Sequence, residues 1–138
     1  MTVLLLLGLA QAQTTQEPCL PASGMVQPLG ADQYKVDKDL VSAWTTDLDK
    51  AESLADTYWH RGSDGQRDGF RVRRIRCGSP LDEVGLRNGD VVHSINGQAV
   101  TGTTDVFWVW RKVRKADTLT VAVSHRDGTQ QTLSYLLE

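Results

Sequence analysis

Side chains able to do chemistry are few in this chain and lie far apart. The three histidines, His60, His93 and His125, fall in separate stretches, and none has a second ligand at the spacing of a metal site. The sequence contains no nucleophile elbow, no zinc-protease helix motif and no glycine-rich phosphate loop. We therefore predict that the protein is not an enzyme, has no cofactor or bound metal, and has no small-molecule substrate.

The two cysteines, Cys19 and Cys77, are too few for a disulfide scaffold and do not form a CxxC pair. In an oxidising compartment they are able to form one disulfide, which would tie the N-terminal segment to the loop before Ser79. Two free thiols are the alternative.

The composition favours one small globular domain with an N-terminal extension. The 138 residues are 40% hydrophobic and 23% charged, and the formal net charge of −2 gives no pull toward nucleic acid or an anionic membrane. Arginines nevertheless cluster in one stretch, at positions 61, 67, 71, 73, 74 and 76. We interpret this stripe as a solvated face; docking of an acidic partner is the alternative, and nucleic acid is not expected.

The N-terminal region begins with an apolar run, Val3–Ala10, that is far shorter than the roughly 20 residues needed to span a bilayer. Ala10-Gln11-Ala12 then has the small-x-small pattern of a cleavage site. We predict an export signal at residues 1–12, with a frayed apolar terminus as the alternative, and a disordered linker at residues 13–34. The protein is then periplasmic or secreted, or anchored by its N-terminus if the true start lies upstream.

A helical segment that packs on the rest of the domain is predicted for residues 35–56. Apolar residues recur there at spacings of three and four, at positions 40, 43, 44, 48, 51, 54 and 55. Thr46-Asp47-Leu48-Asp49 resembles a helix cap in the middle of this stretch. Two short helices, at about 37–44 and 47–56, therefore fit as well as one long helix.

Downstream, the pattern predicts a β-hairpin and then a block in which each junction has a residue suited to it. Thr57–Arg61 and Gly69–Arg76 flank a turn rich in Gly and Asp. Ser79 is placed to cap a short helix with Pro80 at its first position. Gly85 is suited to end that helix, and Asn88-Gly89 and Asn96-Gly97 are suited to tight turns. A helix is predicted next over Thr103–Lys115, capped by Thr103 or Thr104. Two strands follow it, Thr118–Ser124 and Gln130–Leu136.

This order of elements resembles that of PDZ domains of the bacterial type over residues 57–138. The matching motifs are Gly78-Ser79-Pro80, Gly85-Leu86, Asn88-Gly89-Asp90 and Ile95-Asn96-Gly97. With Tyr34-Lys35-Val36-Asp37 included, the chain is most similar to the PDZ region of the type II secretion system C component. The resemblance implies an α+β fold, a PDZ-like partly open β-barrel or sandwich with two helices, preceded by a short helical segment.

The resemblance also implies a groove in which a peptide adds as an edge strand, between the strand Thr57–Arg61 and the helix Thr103–Lys115. Trp108 and Trp110 lie two apart on that helix and cannot both face the core; Trp110 fits the buried period, which leaves Trp108 exposed. The predicted peptide-binding residues are Thr57, Tyr58, Trp59, His60, Thr104 and Trp108.

The loop before this strand, Leu54-Ala55-Asp56-Thr57, lacks the glycines of a carboxylate-binding loop, and Asp56 adds like charge. An internal strand or the edge of a partner protein is therefore favoured over a free C-terminus. We predict an exported protein-binding module, an accessory or component of type II secretion that contacts the membrane only indirectly. The alternatives are a stand-alone regulator, such as a protease adaptor or inhibitor, and a structural domain with a closed groove.

Overall fold

The computed structural model describes residues 18–46 and 53–138. Its strands are β1 (Val26–Gly30), β2 (Gln33–Val36), β3 (Asp56–Arg61), β4 (Arg67–Arg73), β5 (Val91–Ile95), β6 (Gln98–Ala99), β7 (Thr118–Ser124) and β8 (Gln130–Leu137). Its helices are α1 (Lys38–Thr46), α2 (Pro80–Glu83) and α3 (Thr103–Val113). The predicted α+β class, with a short helix ahead of the main domain, is confirmed.

The strands of the described chain form one open sheet in the order β1-β2-β8-β7-β5-β4-β3, with the short β6 paired to β5. Neighbouring strands are antiparallel except β2 and β8, which are parallel. The two ends of the order, β1 and β3, do not meet, so the sheet does not close into a barrel.

One face of the sheet carries the core, and α1 and α3 contribute to it. Val72, Val92, Val123 and Leu133 come from four strands, and Leu40 comes from α1. The aromatic rings of Tyr34 and Tyr135 stack at 5.7 Å, and the Tyr135 hydroxyl donates to the carbonyl of Val84 at 2.7 Å. Burial of the Tyr135 ring raises the pKa of its phenol, so the hydroxyl remains a donor well into the alkaline range.

Local signals in the sequence placed α2 and the turns correctly. The Ser79 Oγ accepts from the backbone N–H of Asp82 at 3.4 Å, and Pro80 is the first helical residue. Gly85 has φ +90°, and the Asn96-Gly97 turn has φ +50° and +78°. These are conformations that glycine and asparagine adopt at low cost.

Three expectations about local structure are wrong. Val26–Gly30, within the segment predicted as a disordered linker, forms β1, because its exposed residues gain their order by pairing with β2. The second helix, predicted at about residues 47–56, does not reach residue 56, because Asp56 begins β3. The predicted export signal and parts of the predicted linker and second helix fall on residues 1–17 and 47–52, which lie outside the described residues. Thr103 or Thr104 was expected to cap α3, but the N-cap residue is Gly102. Beside it, the Asp105 carboxylate accepts from the Thr101 hydroxyl at 2.9 Å.

No helix within residues 18–46 and 53–138 combines the length and the apolar character needed to cross a membrane.

A disulfide joins Cys19 to Cys77, with their Cα atoms 4.8 Å apart. Beside it, the Leu20 N–H donates to the Cys77 carbonyl at 2.9 Å. The Ser23 hydroxyl donates to the Glu83 carboxylate at 2.9 Å. The segment before β1 is therefore held against the loop and helix that follow β4.

We expect the double variant Cys19→Ser/Cys77→Ser to unfold at lower denaturant concentration than the wild type. The bridge closes a segment with a sequence separation of 58, which in the chain-entropy account corresponds to about 4 kcal/mol of stability. Urea unfolding without reductant measures the loss, and reduced wild type should match the variant. Equal midpoints for oxidised wild type and variant would contradict the pairing.

A hydrogen-bond chain that begins at a buried carboxylate joins the loop before β5 to the turn between β7 and β8. The Asp90 side chain is 1% exposed; its Oδ1 accepts from His125 Nδ1 at 2.7 Å, and its Oδ2 accepts from the Arg87 N–H at 2.9 Å. His125 Nε2 meets Gln131 Oε1 at 2.5 Å, and the Gln131 amide donates onward to the Asp32 carboxylate. Both partners of the ring are acceptors, so the arrangement suits the doubly protonated imidazolium.

These contacts predict that His125 stabilises the folded state more at acidic than at alkaline pH. The Asp90 hydrogen bond raises the pKa of His125 above its ordinary value of 6.5, against an opposing contribution from burial. Stabilisation is therefore complete below the unfolded-state pKa and is lost as pH rises through the folded-state pKa. The difference in unfolding free energy between wild type and His125→Gln should shrink from pH 5.5 to pH 9; a difference that stays constant would contradict this account.

Candidate functional site

Strand β3 is the outermost strand at one end of the sheet and pairs, among the described strands, only with β4. The Val72 N–H donates to the Asp90 carbonyl at 2.8 Å, and the Val72 carbonyl accepts from the Gly89 N–H at 2.8 Å. Both backbone groups of Val72 thus point away from β3, so its opposite residue, Thr57, forms a non-hydrogen-bonded pair with it. The N–H and C=O of Thr57 therefore point to the open edge, and by alternation so do those of Trp59.

The register of the sheet divides the side chains near this edge into two rows on opposite faces. Trp59, Phe70, Val92 and Val123 are consecutive partners across β3, β4, β5 and β7, and the last three belong to the core cluster or pack against it. This row therefore lies on the inner face of the sheet. The alternation predicted from sequence left the face of Trp59 undecided, and the pairing with Phe70 decides it.

The adjacent row lies on the outer face and consists of Tyr58, Arg71, Val91 and Ser124. Tyr58 is 53% exposed, whereas Val91 is 3% exposed although it is absent from the core cluster. Of the predicted site residues on β3, Thr57 and Trp59 thus share the inner face, and Tyr58 and His60 share the outer one.

A depression of about 230 Å³ lies at this edge, lined by Tyr58, Trp59, His60, Arg71 and Arg73. At one end the His60 Nδ1 meets the Asp68 Oδ1 at 2.5 Å. The guanidinium carbon of Arg67, on β4, lies 4.9 Å from the centre of the Trp59 ring in a cation–π contact. Trp59 remains 38% exposed.

His93 and Ser124 form a hydrogen-bonded pair on the outer face, with Ser124 Oγ 2.7 Å from His93 Nε2. The Nδ1 of this ring donates to the backbone carbonyl of Asp68 at 2.6 Å, while the Asp68 carboxylate is 4.0 Å from that nitrogen and binds His60 instead. The contacts link β4, β5 and β7. They were not anticipated, because the three residues are distant in sequence. Within the described residues no three His, Cys, Asp or Glu side chains converge as metal ligands.

Helix α3 presents a second group of exposed aromatic residues. Trp108 is 50% and Phe107 is 56% exposed, and their rings lie 5.7 Å apart in an edge-to-face contact. The Arg111 guanidinium lies 5.6 Å from the Trp108 ring centre. The exposure of Trp108 was predicted from sequence, whereas its cation–π contact with Arg111 was not. The predicted site residue Thr104 is also exposed, so both residues lie on the side of α3 away from the buried Val109 and Val113.

Close packing of two backbones requires a glycine at position 69, just before Phe70 in β4. A Cβ at position 69 would lie 2.2 Å from the Val92 carbonyl oxygen, and φ is +154°. The glycine therefore permits the close approach of β4 to β5. The loop before the edge strand β3 leads into Asp56, the first residue of that strand, and the Asp56 carboxylate is 3.5 Å from the Arg74 Nε.

Comparison with known proteins agrees with this architecture. A family model described as "PDZ domain" matches residues 46–137. Over 109 residues the chain is 32% identical to a probable periplasmic serine endoprotease DegP-like from Marinomonas sp. (strain MWYL1), a match that covers 78% of this chain and 22% of that protein. The chain thus spans about a fifth of the length of this curated relative, 22%.

Among solved structures, the PDZ domain of EpsC from Vibrio cholerae superposes with a TM-score of 0.50 at 18% identity, covering 71% of this chain and 91% of that one. The PDZ domain of the pullulanase C protein of the type II secretion system from Klebsiella pneumoniae gives a TM-score of 0.48 at 15% identity, with 71% and 99% covered. The family model spans more than half of the sequence, and the chain belongs to the PDZ domain family.

Proposed function

We propose that this protein is a protein-binding module that takes up an extended segment of a partner as an additional strand beside β3. The observation that carries the proposal is the open edge of β3, where the N–H and C=O groups of Thr57 and Trp59 have no strand to pair with among the described residues. Backbone hydrogen bonds to such an edge supply affinity, and the flanking side chains supply selectivity.

The proposed binding residues are those expected from sequence. Thr57 and Trp59 would contact the inner face of the added strand, and Tyr58 and His60 would contact its outer face. Thr104 and Trp108 lie on α3, outside the lining of the depression, and the exposed Trp108 would be a second anchor for the partner. The loop before β3 supports an internal segment as the ligand, because Leu54-Ala55-Asp56-Thr57 lacks the glycines of a loop whose backbone N–H groups bind a terminal carboxylate.

The proposed setting is the bacterial envelope, where the protein would act as an accessory or component of type II secretion that docks another envelope protein. The disulfide between Cys19 and Cys77 supports an oxidising, periplasmic or extracellular location. The structural likeness to the EpsC domain supports the fold only, so the secretion role rests on the motifs shared with that family.

A second candidate is a stand-alone regulator, for example an adaptor or inhibitor of an envelope protease. The observation that favours it is the 32% identity to the DegP-like protein, which is higher than the 18% identity to the EpsC domain. Both candidates use the same docking edge and differ in the partner that supplies the strand.

The edge is tested by proline substitution at a position whose N–H points outward. Thr57→Pro removes that donor and leaves the ladder bonds of Tyr58 and His60 to β4 intact, as proline permits on an edge strand. Thr57→Val keeps the N–H and the branched shape. Against a peptide selected from a displayed library of random decapeptides flanked by Gly-Ser, we expect Thr57→Pro to bind about tenfold or more weakly than wild type and Thr57→Val to bind equally.

Calorimetry measures the affinities, and thermal unfolding verifies that both variants are folded. A library that yields no binder would support the closed, structural domain instead. Undiminished binding by Thr57→Pro would place the ligand elsewhere, and the same measurement on Trp108→Ala then tests α3.

A further inference from the structure

The two faces at the open edge differ in chemistry, and an added strand would experience both. Its side chains alternate between the faces, since successive residues of a strand point to opposite sides. Those on the inner face would continue the row of Trp59, Phe70 and Val92, which is apolar. Those on the outer face would continue the row of Tyr58 and Arg71.

The outer face at this edge contains two arginines, Arg71 and Arg73, that make no ion pair with the described residues; Asp56 is opposite Arg73 in the register, but its carboxylate contacts Arg74 at 3.5 Å. Arg71 and Arg73 are two residues apart on β4, so both side chains lie on the same face and both line the depression. Within the described residues neither guanidinium group makes an ion pair or a hydrogen bond. The Nε of Arg71 is moreover a buried donor with no acceptor. A buried donor without a partner is unfavourable, so a movement of the Arg71 side chain that brings this donor to an incoming acceptor would be favoured.

The other cations of this hairpin are already engaged. Arg74 faces the Asp56 carboxylate at 3.5 Å, and Arg61 donates to the Gly65 carbonyl at 2.9 Å. Arg67 lies over the Trp59 ring. The carboxylate of Asp68, which is also on β4, is held by His60. Among the five arginines at positions 61, 67, 71, 73 and 74, Arg71 and Arg73 are therefore the two whose guanidinium groups contact neither an acceptor nor an aromatic ring of the described residues.

We propose, building on the strand-docking function above, that the bound segment alternates apolar and acidic side chains, with the acidic ones pairing with Arg71 and Arg73. The added strand would lie two strand spacings from β4, about 10 Å, a gap that an arginine and a glutamate side chain span together. Carboxylates at alternate positions match the spacing of the two arginines, about 7 Å. The planar guanidinium groups are suited to bidentate binding of a carboxylate.

The test uses three fluorescein-labelled peptides of ten residues, flanked by Gly-Ser, in which valine alternates with glutamate, glutamine or lysine. We expect the glutamate peptide to bind about five- to tenfold tighter than the glutamine peptide, measured by fluorescence anisotropy, and the lysine peptide to bind most weakly. The preference for glutamate should decrease between 50 and 500 mM salt, because exposed charge pairs are screened.

Variants assign the preference to the two arginines. Arg71→Gln/Arg73→Gln should bind the glutamate and glutamine peptides equally, while Arg126→Gln, an exposed arginine in the β7–β8 turn, should behave as wild type. If the double variant fails to fold, Arg73→Gln alone, at an exposed site, should still lose part of the preference.

Equal binding of the glutamate and glutamine peptides to wild type, or a preference that persists in the arginine variants, would overturn the acidic specificity and leave strand docking intact. Binding of none of the three peptides would count against strand docking as well, and the library selection tests that independently.

Discussion

The position of β4 between β3 and β5 is the constraint on which the rest of this edge depends. Gly69 allows the two backbones to approach so closely that a Cβ would lie 2.2 Å from the Val92 carbonyl oxygen. That approach sets Phe70 opposite Val92 and Arg71 opposite Val91. Once these pairs are fixed, period-two alternation determines that apolar side chains lie on the inner face and cationic ones on the outer face.

The same constraint decides which backbone groups remain available. Asp90 takes the Val72 N–H through its carbonyl, while its carboxylate, 1% exposed, is held by His125 and by the Arg87 N–H. A buried acid with this many donors cannot shift without leaving some of them unsatisfied. The orientation of Val72, and through it the outward direction of the Thr57 groups, therefore depends on a network at the far side of β4.

Sequence reasoning succeeded where the determinant is local. The cap at Ser79, the turn at Asn96-Gly97 and the exposure of Trp108 follow from residue type or from a period of 3.6, and each was predicted. It failed for β1, whose mostly exposed residues have no apolar alternation and which pairs with β2, a strand that itself pairs with the distant β8. The two faces of β3 also required the register, because a slip of one residue would exchange them.

The paired arginines also bear on a hazard that any open edge carries. An unpaired strand is a template for a second copy of the same strand, and charges on the edge oppose such self-pairing. If two copies of β3 paired, the outer faces of both hairpins would join, and the positive charges of Arg71 and Arg73 in one copy would add to those of the other, since the Asp56 carboxylate already contacts Arg74 at 3.5 Å. An acidic segment in the same place would neutralise them. The two arginines that would bind an acidic partner would thus also disfavour the homodimer. One pair of side chains would attract the ligand and repel a second copy of the same edge.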